Sequence, residues 1–254
     1  FHIGLVHPYL DSPRPIAFAH RGGAGVHPEN TMSAFAHAVA LGYRYLETDV
    51  HATKDGFLLA FHDENLLRTC GVDVQIGEIT LEESQQIKVH GREHIPTLTE
   101  LLETWPEIRL NIDCKADSAL LPLINTLKHA DIRSRTCIGS FSDRRLRQLR
   151  STFGESLCTS MGPREVAQAR LASYVPRTPF ACSAHAAQVP LNQGPIPLVD
   201  RRFVDFCHQR DIHVHVWTID DPVVMNDLLE LGVDGIMTDQ PETLRQVLQE
   251  RGNW

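Results

Sequence analysis

"IAFAHRGGAGVHPENTMSAFAHAVALGYRYLETDVHATKDGFLLAFH", residues 16–62, reads as strand, helix, strand, with polar chemistry at each strand end. The apolar run Ile16 to Ala19 leads into His20-Arg21-Gly22. A helical pattern follows near 30–41, with Asn30 or Thr31 as its capping candidate and Gly42 as its stop. Tyr45 to Val50 makes a second strand, and Asp55-Gly56 is a turn signal before an extra strand at about 57–62. The alternation continues, with strands expected near 109–114, 136–141, 156–160, 180–184, 213–219 and 235–238. Helices are expected near 97–104, 118–129, 142–151, 163–173, 200–210, 221–231 and 241–250. Such alternation implies a parallel sheet with right-handed crossovers. About eight units in 254 residues favour a closed (β/α)8 TIM barrel over an open doubly wound sheet. We expect one domain over 1–254, a core at about 16–250, and a short insertion after the second strand region. Residues 64–79 show no clear periodicity, and 185–199, with Pro190, Pro195 and Pro197, read as a long loop after the sixth strand.

Bulk composition narrows the class. Hydrophobic residues make up 42%, enough for a large core, and the net charge is −8. An acidic chain argues against nucleic-acid binding, which needs basic patches. A phosphate-bearing substrate would need local cations or a metal. The six cysteines, at 70, 114, 137, 158, 182 and 207, form no CxxC pair. Cys114, Cys137, Cys158 and Cys182 fall in apolar runs that read as buried strands, which suits a reducing compartment. No run reaches the length of a membrane span and no signal-peptide pattern is visible, so a cytoplasmic location is expected.

Glu47 and Asp49 project from the same face of a strand, with Cα atoms roughly 6 to 7 Å apart. Bare carboxylates at that separation repel by roughly 2 to 3 kcal/mol at an effective dielectric near 20. A fold accepts this when a cation sits between them. His20 and His62 can move protons near neutral pH. A divalent metal with two proton carriers points to hydrolytic or phosphoryl-transfer chemistry. His20, Arg21, Glu47, Asp49, His62, Asp113 and Lys115 all lie at the carboxyl ends of expected strands, the catalytic rim of a barrel. Asp113 adds a third oxygen donor, a set that suits Mg²⁺ or Ca²⁺ better than zinc. The plainer alternative is a set of rim ion pairs, Glu47 with Arg21 and Asp113 with Lys115.

Residues 19–69, with their HRG, PENT, E-x-D and HD elements, resemble the glycerophosphodiester phosphodiesterase family. The later "VHVWTID" and "LGVDGIMTDQPE" are similar to its last two strands, so the resemblance spans about 16 to 248. It implies a (β/α)8 barrel, one divalent cation, and hydrolysis of a small-molecule phosphodiester to glycerol 3-phosphate and an alcohol. By matching position it implies that His20 and His62 are the acid–base pair and that Glu47 and Asp49 are metal ligands. Arg21 and Lys115 match phosphate-binding positions. The resemblance also implies a route through a cyclic 1,2-phosphate. One position departs: the family pattern has Glu-x-Lys on the third barrel strand, where this chain has Asp113-x-Lys115.

Trp217 is expected to wall the glycerol or leaving group, with core packing as the alternative. Capping accounts for Glu29, Asn30 and Thr31, and Asp239 is expected to be a loop or helix-start residue. His51 is expected outside the barrel or in solvent, and His185 and Gln188 as substrate contacts from the loop. A lysophospholipase D or sphingomyelinase D-like enzyme on the same site is the closest rival, and Val189, Leu191, Ile196 and Leu198 could line its apolar groove. A catalytically silent binding barrel is the rival from another class, opposed by the histidines and carboxylates.

Overall fold

The computed structural model describes residues 7–13, 15–175 and 178–254. Eight parallel strands make the wall: β1 (Ile16–Ala19), β2 (Tyr45–Ala52), β3 (Arg109–Cys114), β4 (Thr136–Gly139), β5 (Cys158–Thr159), β6 (Ala186–Pro190), β7 (His213–Trp217) and β8 (Gly235–Thr238). They pair in the order β5-β4-β3-β2-β1-β8-β7-β6. The remaining seam, β5 to β6, is thin. It has a bridge between Ser160 and Ala186, an N–H of His185 on the Thr159 carbonyl at 2.9 Å, and an N–H of Met161 on the Ala186 carbonyl at 2.8 Å. The result is the nearly closed (β/α)8 barrel that the alternation implies.

A principal helix lies between each strand and the next, and one follows β8: α1 (Met32–Ala40), α2 (Leu98–Thr104), α3 (Asp117–Thr126), α4 (Asp143–Phe153), α5 (Pro163–Tyr174), α6 (Arg201–His208), α7 (Pro222–Leu231) and α8 (Pro241–Glu250); a further short helix, Ala130–Ser134, precedes β4. Their ends follow local chemistry. Thr31 accepts the Ala34 N–H at the start of α1, and Gly232, with φ 93°, ends α7 in the left-handed conformation.

Alternation along the strands builds two cores. Outward residues such as Leu46, Val50, Ile112 and Val216 are buried against Phe35, Leu123, Leu149 and Phe203 of the helices. Inward residues Phe18, Tyr45, Cys137, Cys158 and Met237 pack with Tyr9 into a floor inside the barrel. The Tyr45 ring meets Tyr9 and Phe18 edge-on, each at 5.2 Å, and its hydroxyl donates to the Tyr9 carbonyl at 2.6 Å. Further along β2 the inward positions change from Tyr45 to Glu47 and Asp49, so apolar floor gives way to charge at the carboxyl ends.

The excursion after β2 carries its own small core of Leu59, Phe61, Leu66, Ile76, Val89 and Ile95. Leu58–Ala60 pairs antiparallel with the end of β2, and this anchors the segment leading to His62. Short helices at Leu67–Cys70 and Leu81–Gln86 and a hairpin of Lys88–Val89 with Glu93–His94 complete it. Elements this short leave no periodicity to read.

The sixth strand is displaced from its expected position. It runs Ala186–Pro190 rather than 180–184, so the expected loop contains a barrel strand and a small hairpin, Asn192–Gln193 with Ile196–Pro197. The physical reason is that Gln188 faces the interior and Pro190 ends the strand, which breaks the apolar signature. Phe180 instead packs outside, 5.2 Å from Phe206. Cys182 is accordingly half-buried and in no strand, while Cys114, Cys137 and Cys158 are buried on strands; all six thiols are free. Among the described residues, no helix is long and apolar enough to cross a membrane.

His185 sits on the closing seam, its ring 5.1 Å from that of His7. Burial, aided by His7, Arg150 and His213, lowers its pKa from 6.5 to about 4. The folded protein therefore binds fewer protons than the unfolded chain between those values, and stability should fall as pH drops through that window. Denaturant midpoints between pH 7 and 4.5 should show this fall, and His185→Asn should flatten it. An equal slope in the variant would contradict the assignment.

Candidate active site

Charged residues from the first three strands converge at one end of the barrel. β1 ends in a tight turn, His20–Gly22, in which Arg21 has φ 50° and Gly22 φ 84°. A Cβ on Gly22 would stand 2.8 Å from that of Ala34, so only glycine fits beneath α1. The turn aims the Arg21 backbone N–H at Glu47 Oε2, 3.0 Å away. Register does the rest: β2 and β3 pair Glu47 with Asn111 and Asp49 with Asp113, which brings the third carboxylate beside the second.

Glu47 and Asp49 are buried, at 4% and 2% exposure, yet their pKa values move in opposite directions. Burial pushes the Glu47 carboxyl up and repulsion from Asp49 adds to it; His20, the Arg21 N–H and Lys115 offset this only in part, leaving it at about 7. For Asp49 burial also pushes upward, but Lys115 and Arg21 outweigh it and hold the group below the usual carboxylate range. Lys115 Nζ bridges Asp49 Oδ1 at 2.9 Å and Asp113 Oδ2 at 2.7 Å. Arg21 Nε stands 3.4 Å from Asp49 Oδ2, and Asn30 donates to that same oxygen at 3.1 Å. The rim ion pairs are thus present in the form of Lys115 with Asp113, while Arg21 reaches Glu47 through its backbone.

Each histidine is held by an aspartate. His20 Nδ1 lies 2.8 Å from Asp239 Oδ1, and its Nε2 lies 3.8 Å from Glu47. Burial lowers the His20 pKa, but Glu47 and Asp239 outweigh it and raise the imidazole above its usual value. His62 Nδ1 lies 2.6 Å from Asp63 Oδ1. Asp63 is gripped by Arg68 through Nε at 2.6 Å and Nη2 at 3.1 Å, and chiefly this guanidinium holds its carboxyl at about 2. Arg68 also donates twice to Glu29, which accepts from Arg21 Nη1 at 3.1 Å. A chain of alternating charges therefore links His62 to Asp113 by way of Asp63, Arg68, Glu29, Arg21, Asp49 and Lys115. An aspartate on Nδ1 favours the proton there and leaves Nε2 to exchange one.

All eight positions singled out from the sequence line one cavity of about 550 Å³: His20, Arg21, Glu47, Asp49, His62, Asp113, Lys115 and Trp217. Trp217 packs against the barrel floor and lines the cavity, its ring 6.1 Å from that of Phe141. Gln188 lines the cavity and donates to Asn111 at 2.7 Å, whereas His185 lies elsewhere, on the seam.

Asp239 holds His20 rather than only starting a helix. Glu29 and Asn30 belong to the charge network, and of the three capping candidates only Thr31 caps α1. His51 is buried rather than outside, with Nε2 3.0 Å from the His62 carbonyl, because the strand's period of two carries the inward face past Asp49. Phe141 also lines the cavity, and as a lone aromatic before a helix it carries no signal in the sequence.

The glycerophosphoryl diester phosphodiesterase family model matches residues 20–243. A "Probable glycerophosphodiester phosphodiesterase 2" of Mycobacterium tuberculosis is 36% identical over 94% of this chain and 92% of its own length. A lysophospholipase D of Homo sapiens is 28% identical over 91% of this chain and 85% of its own. The solved structure of an Oleispira antarctica phosphodiesterase in complex with the product sn-glycerol-3-phosphate superposes with a TM-score of 0.77 at 22% identity, covering 93% of this chain and 97% of that one. The chain belongs to the glycerophosphoryl diester phosphodiesterase family, and is a phosphoric diester hydrolase.

Proposed function

We propose that this chain hydrolyses glycerophosphodiesters to glycerol 3-phosphate and an alcohol, with His20 and His62 as the acid–base pair. The observation that carries the reading is the arrangement of two His–Asp pairs around one cavity, beside two buried carboxylates. A silent binding barrel has no use for two histidines each oriented by its own aspartate.

Family members generally use a divalent cation. Among the described residues, no three His, Cys, Asp or Glu side chains stand close enough to hold an ion as they are. The local chemistry nonetheless fits one. Burial, with the neighbouring Asp49 charge, keeps Glu47 at about 7, and a cation beside it would offset both. Asp113 Oδ1 is buried with no hydrogen-bond partner among the described residues. The ammonium of Lys115 already occupies the space between Asp49 and Asp113. Glu47 and Asp49 would hold the ion with Asp113 as third donor, and such oxygens suit Mg²⁺ or Ca²⁺. When bound, the ion neutralises charge on a phosphate oxygen as a Lewis acid.

Arg21 and Lys115 bind the non-bridging oxygens of the diester, whose negative charge otherwise repels a nucleophile. One histidine takes the proton of the glycerol 2-hydroxyl as that oxygen attacks phosphorus, an intramolecular step with a large effective-molarity advantage. The bond from phosphorus to the alcohol oxygen breaks, and the other histidine gives that oxygen its proton. The cyclic 1,2-phosphate is then opened by water with the two roles reversed. Trp217 and Phe141 line the cavity, with the Phe141 ring 5.7 Å from Lys115 Nζ.

One observation favours the lysophospholipase D reading as a second activity at this site. Of the four apolar residues suspected from the sequence, Val189 and Leu198 line the cavity, whereas Leu191 and Ile196 are not among its lining residues.

His20→Ala and His62→Ala should each lower kcat for glycerophosphocholine by about 10²- to 10⁴-fold, with thermal midpoints close to wild type. Near-normal turnover in either would sink the mechanism. Release of glycerol 3-phosphate should stop with EDTA and return when Mg²⁺ or Ca²⁺ is added back; full activity in EDTA would remove the cation from the account.

A further inference from the structure

Two uncharged amides meet inside the cavity. Gln188 projects from β6 and Asn111 from β3, with β4 and β5 between them in barrel order. Gln188 Nε2 donates to Asn111 Oδ1 at 2.7 Å and lies 3.3 Å from His215 Nδ1. Gly139 on β4 presents no side chain to this crossing; a Cβ there would already stand 3.6 Å from Gln188 Oε1. Asn111 is 4% exposed, and the pairing of β2 with β3 sets it beside Glu47. Both amides line the cavity. Their contact uses only half of each. Among the described residues, Asn111 Nδ2 and Gln188 Oε1 have no hydrogen-bond partner. One is a donor and the other an acceptor. Turning both amides over would exchange the roles and still leave one of each. A neutral pair offering one donor and one acceptor matches an alcohol hydroxyl, which accepts and donates at once. An ionised phosphate oxygen only accepts, and Arg21 and Lys115 serve it better.

We propose that Asn111 and Gln188 are the specificity-determining pair for the glycerol moiety, and that they read its terminal hydroxyl, the one carrying neither the phosphate nor the attacking oxygen. The inference rests on the phosphodiesterase reading and adds the residues that select its substrate. The phosphate lies against Arg21 and Lys115, the 2-hydroxyl faces a histidine, and the terminal hydroxyl, one carbon further, meets the two amides. An analogue without that hydroxyl strands a donor and an acceptor, and such unpaired groups are what make a hydrogen-bonding site discriminate. A terminal oxygen that carries an acyl chain has no proton to donate. The pair therefore also ranks the two readings of the site, deacylated diester before lysolipid.

The test compares glycerophosphocholine with the phosphocholine diester of propane-1,2-diol, which keeps the 2-hydroxyl nucleophile and lacks the terminal hydroxyl. The choline side carries no free hydroxyl in either. kcat/KM should favour the glycerol diester by about 10²-fold, less than in a sealed site because Gln188 is half-buried. Calorimetric titration with glycerol 3-phosphate and with propane-1,2-diol 1-phosphate reads the same preference without turnover. Gln188→Met and Asn111→Leu keep the size and remove the hydrogen bonds, and each should bring both ratios close to one. A merely structural role would lower both substrates alike and leave the ratios standing. Equal kcat/KM for the two diesters in the wild-type enzyme overturns the inference and leaves the phosphodiesterase reading intact. A binding preference for glycerol 3-phosphate with no turnover of either diester supports the pair and overturns that reading instead. Ratios that survive in either folded variant place the recognition elsewhere and overturn the pair.

Discussion

Glu47 and Asp49 lie buried on the inward face of β2, two residues apart, and the surrounding rim is organised around their charge. The inner face of a barrel strand turns its side chains the same way, so the carboxylates cannot avoid each other. The fold responds unequally. Asp49 receives Lys115, Arg21 and Asn30 and stays ionised, while Glu47 receives a backbone N–H and His20 and sits near neutrality. A site with one carboxylate charged and the next poised to lose its proton is ready for a cation, which would satisfy both.

The histidines are placed by the same economy of charge. Asp239 reaches His20 across the β8–β1 pairing, from the end of the last strand to the end of the first. Asp63 reaches His62 as its immediate neighbour and is fixed in turn by Arg68. Because Arg68 also binds Glu29, and Glu29 binds Arg21, the excursion that carries His62 is tied to the turn at the end of β1. The rigid link matters because the excursion has only a small core of its own. Charge is thereby confined to one half of the cavity, and the other half is lined by uncharged residues.

Much of this was legible in the chain. The strand ends at His20, Glu47, Asp49, Asp113 and Lys115 are encoded by apolar runs stopping at polar residues, and barrel topology brings such ends together whatever their separation. What was hidden has physical causes. The His20–Asp239 contact joins residues 219 apart, and an aspartate before a helix looks like an ordinary helix start. Glu29 and Asn30 precede α1, where capping would suffice to explain them; their contacts with Arg21 and Asp49 exist only once β1 and β2 are side by side. β6 escaped because its inward face carries Gln188 and its end carries Pro190, neither a strand signal. His51 was misplaced by stopping the two-residue alternation at Asp49, although β2 runs to Ala52.

The claim that most depends on this arrangement is that Glu47 and Asp49 together form the seat of a divalent cation. Calorimetric titration of Mg²⁺ and Ca²⁺ into the protein, and into Glu47→Gln and Asp49→Asn, tests it most directly. The account predicts binding at one site in the wild-type protein and its loss in both variants, each still folded by circular dichroism. Binding of equal strength in the folded variants would contradict it.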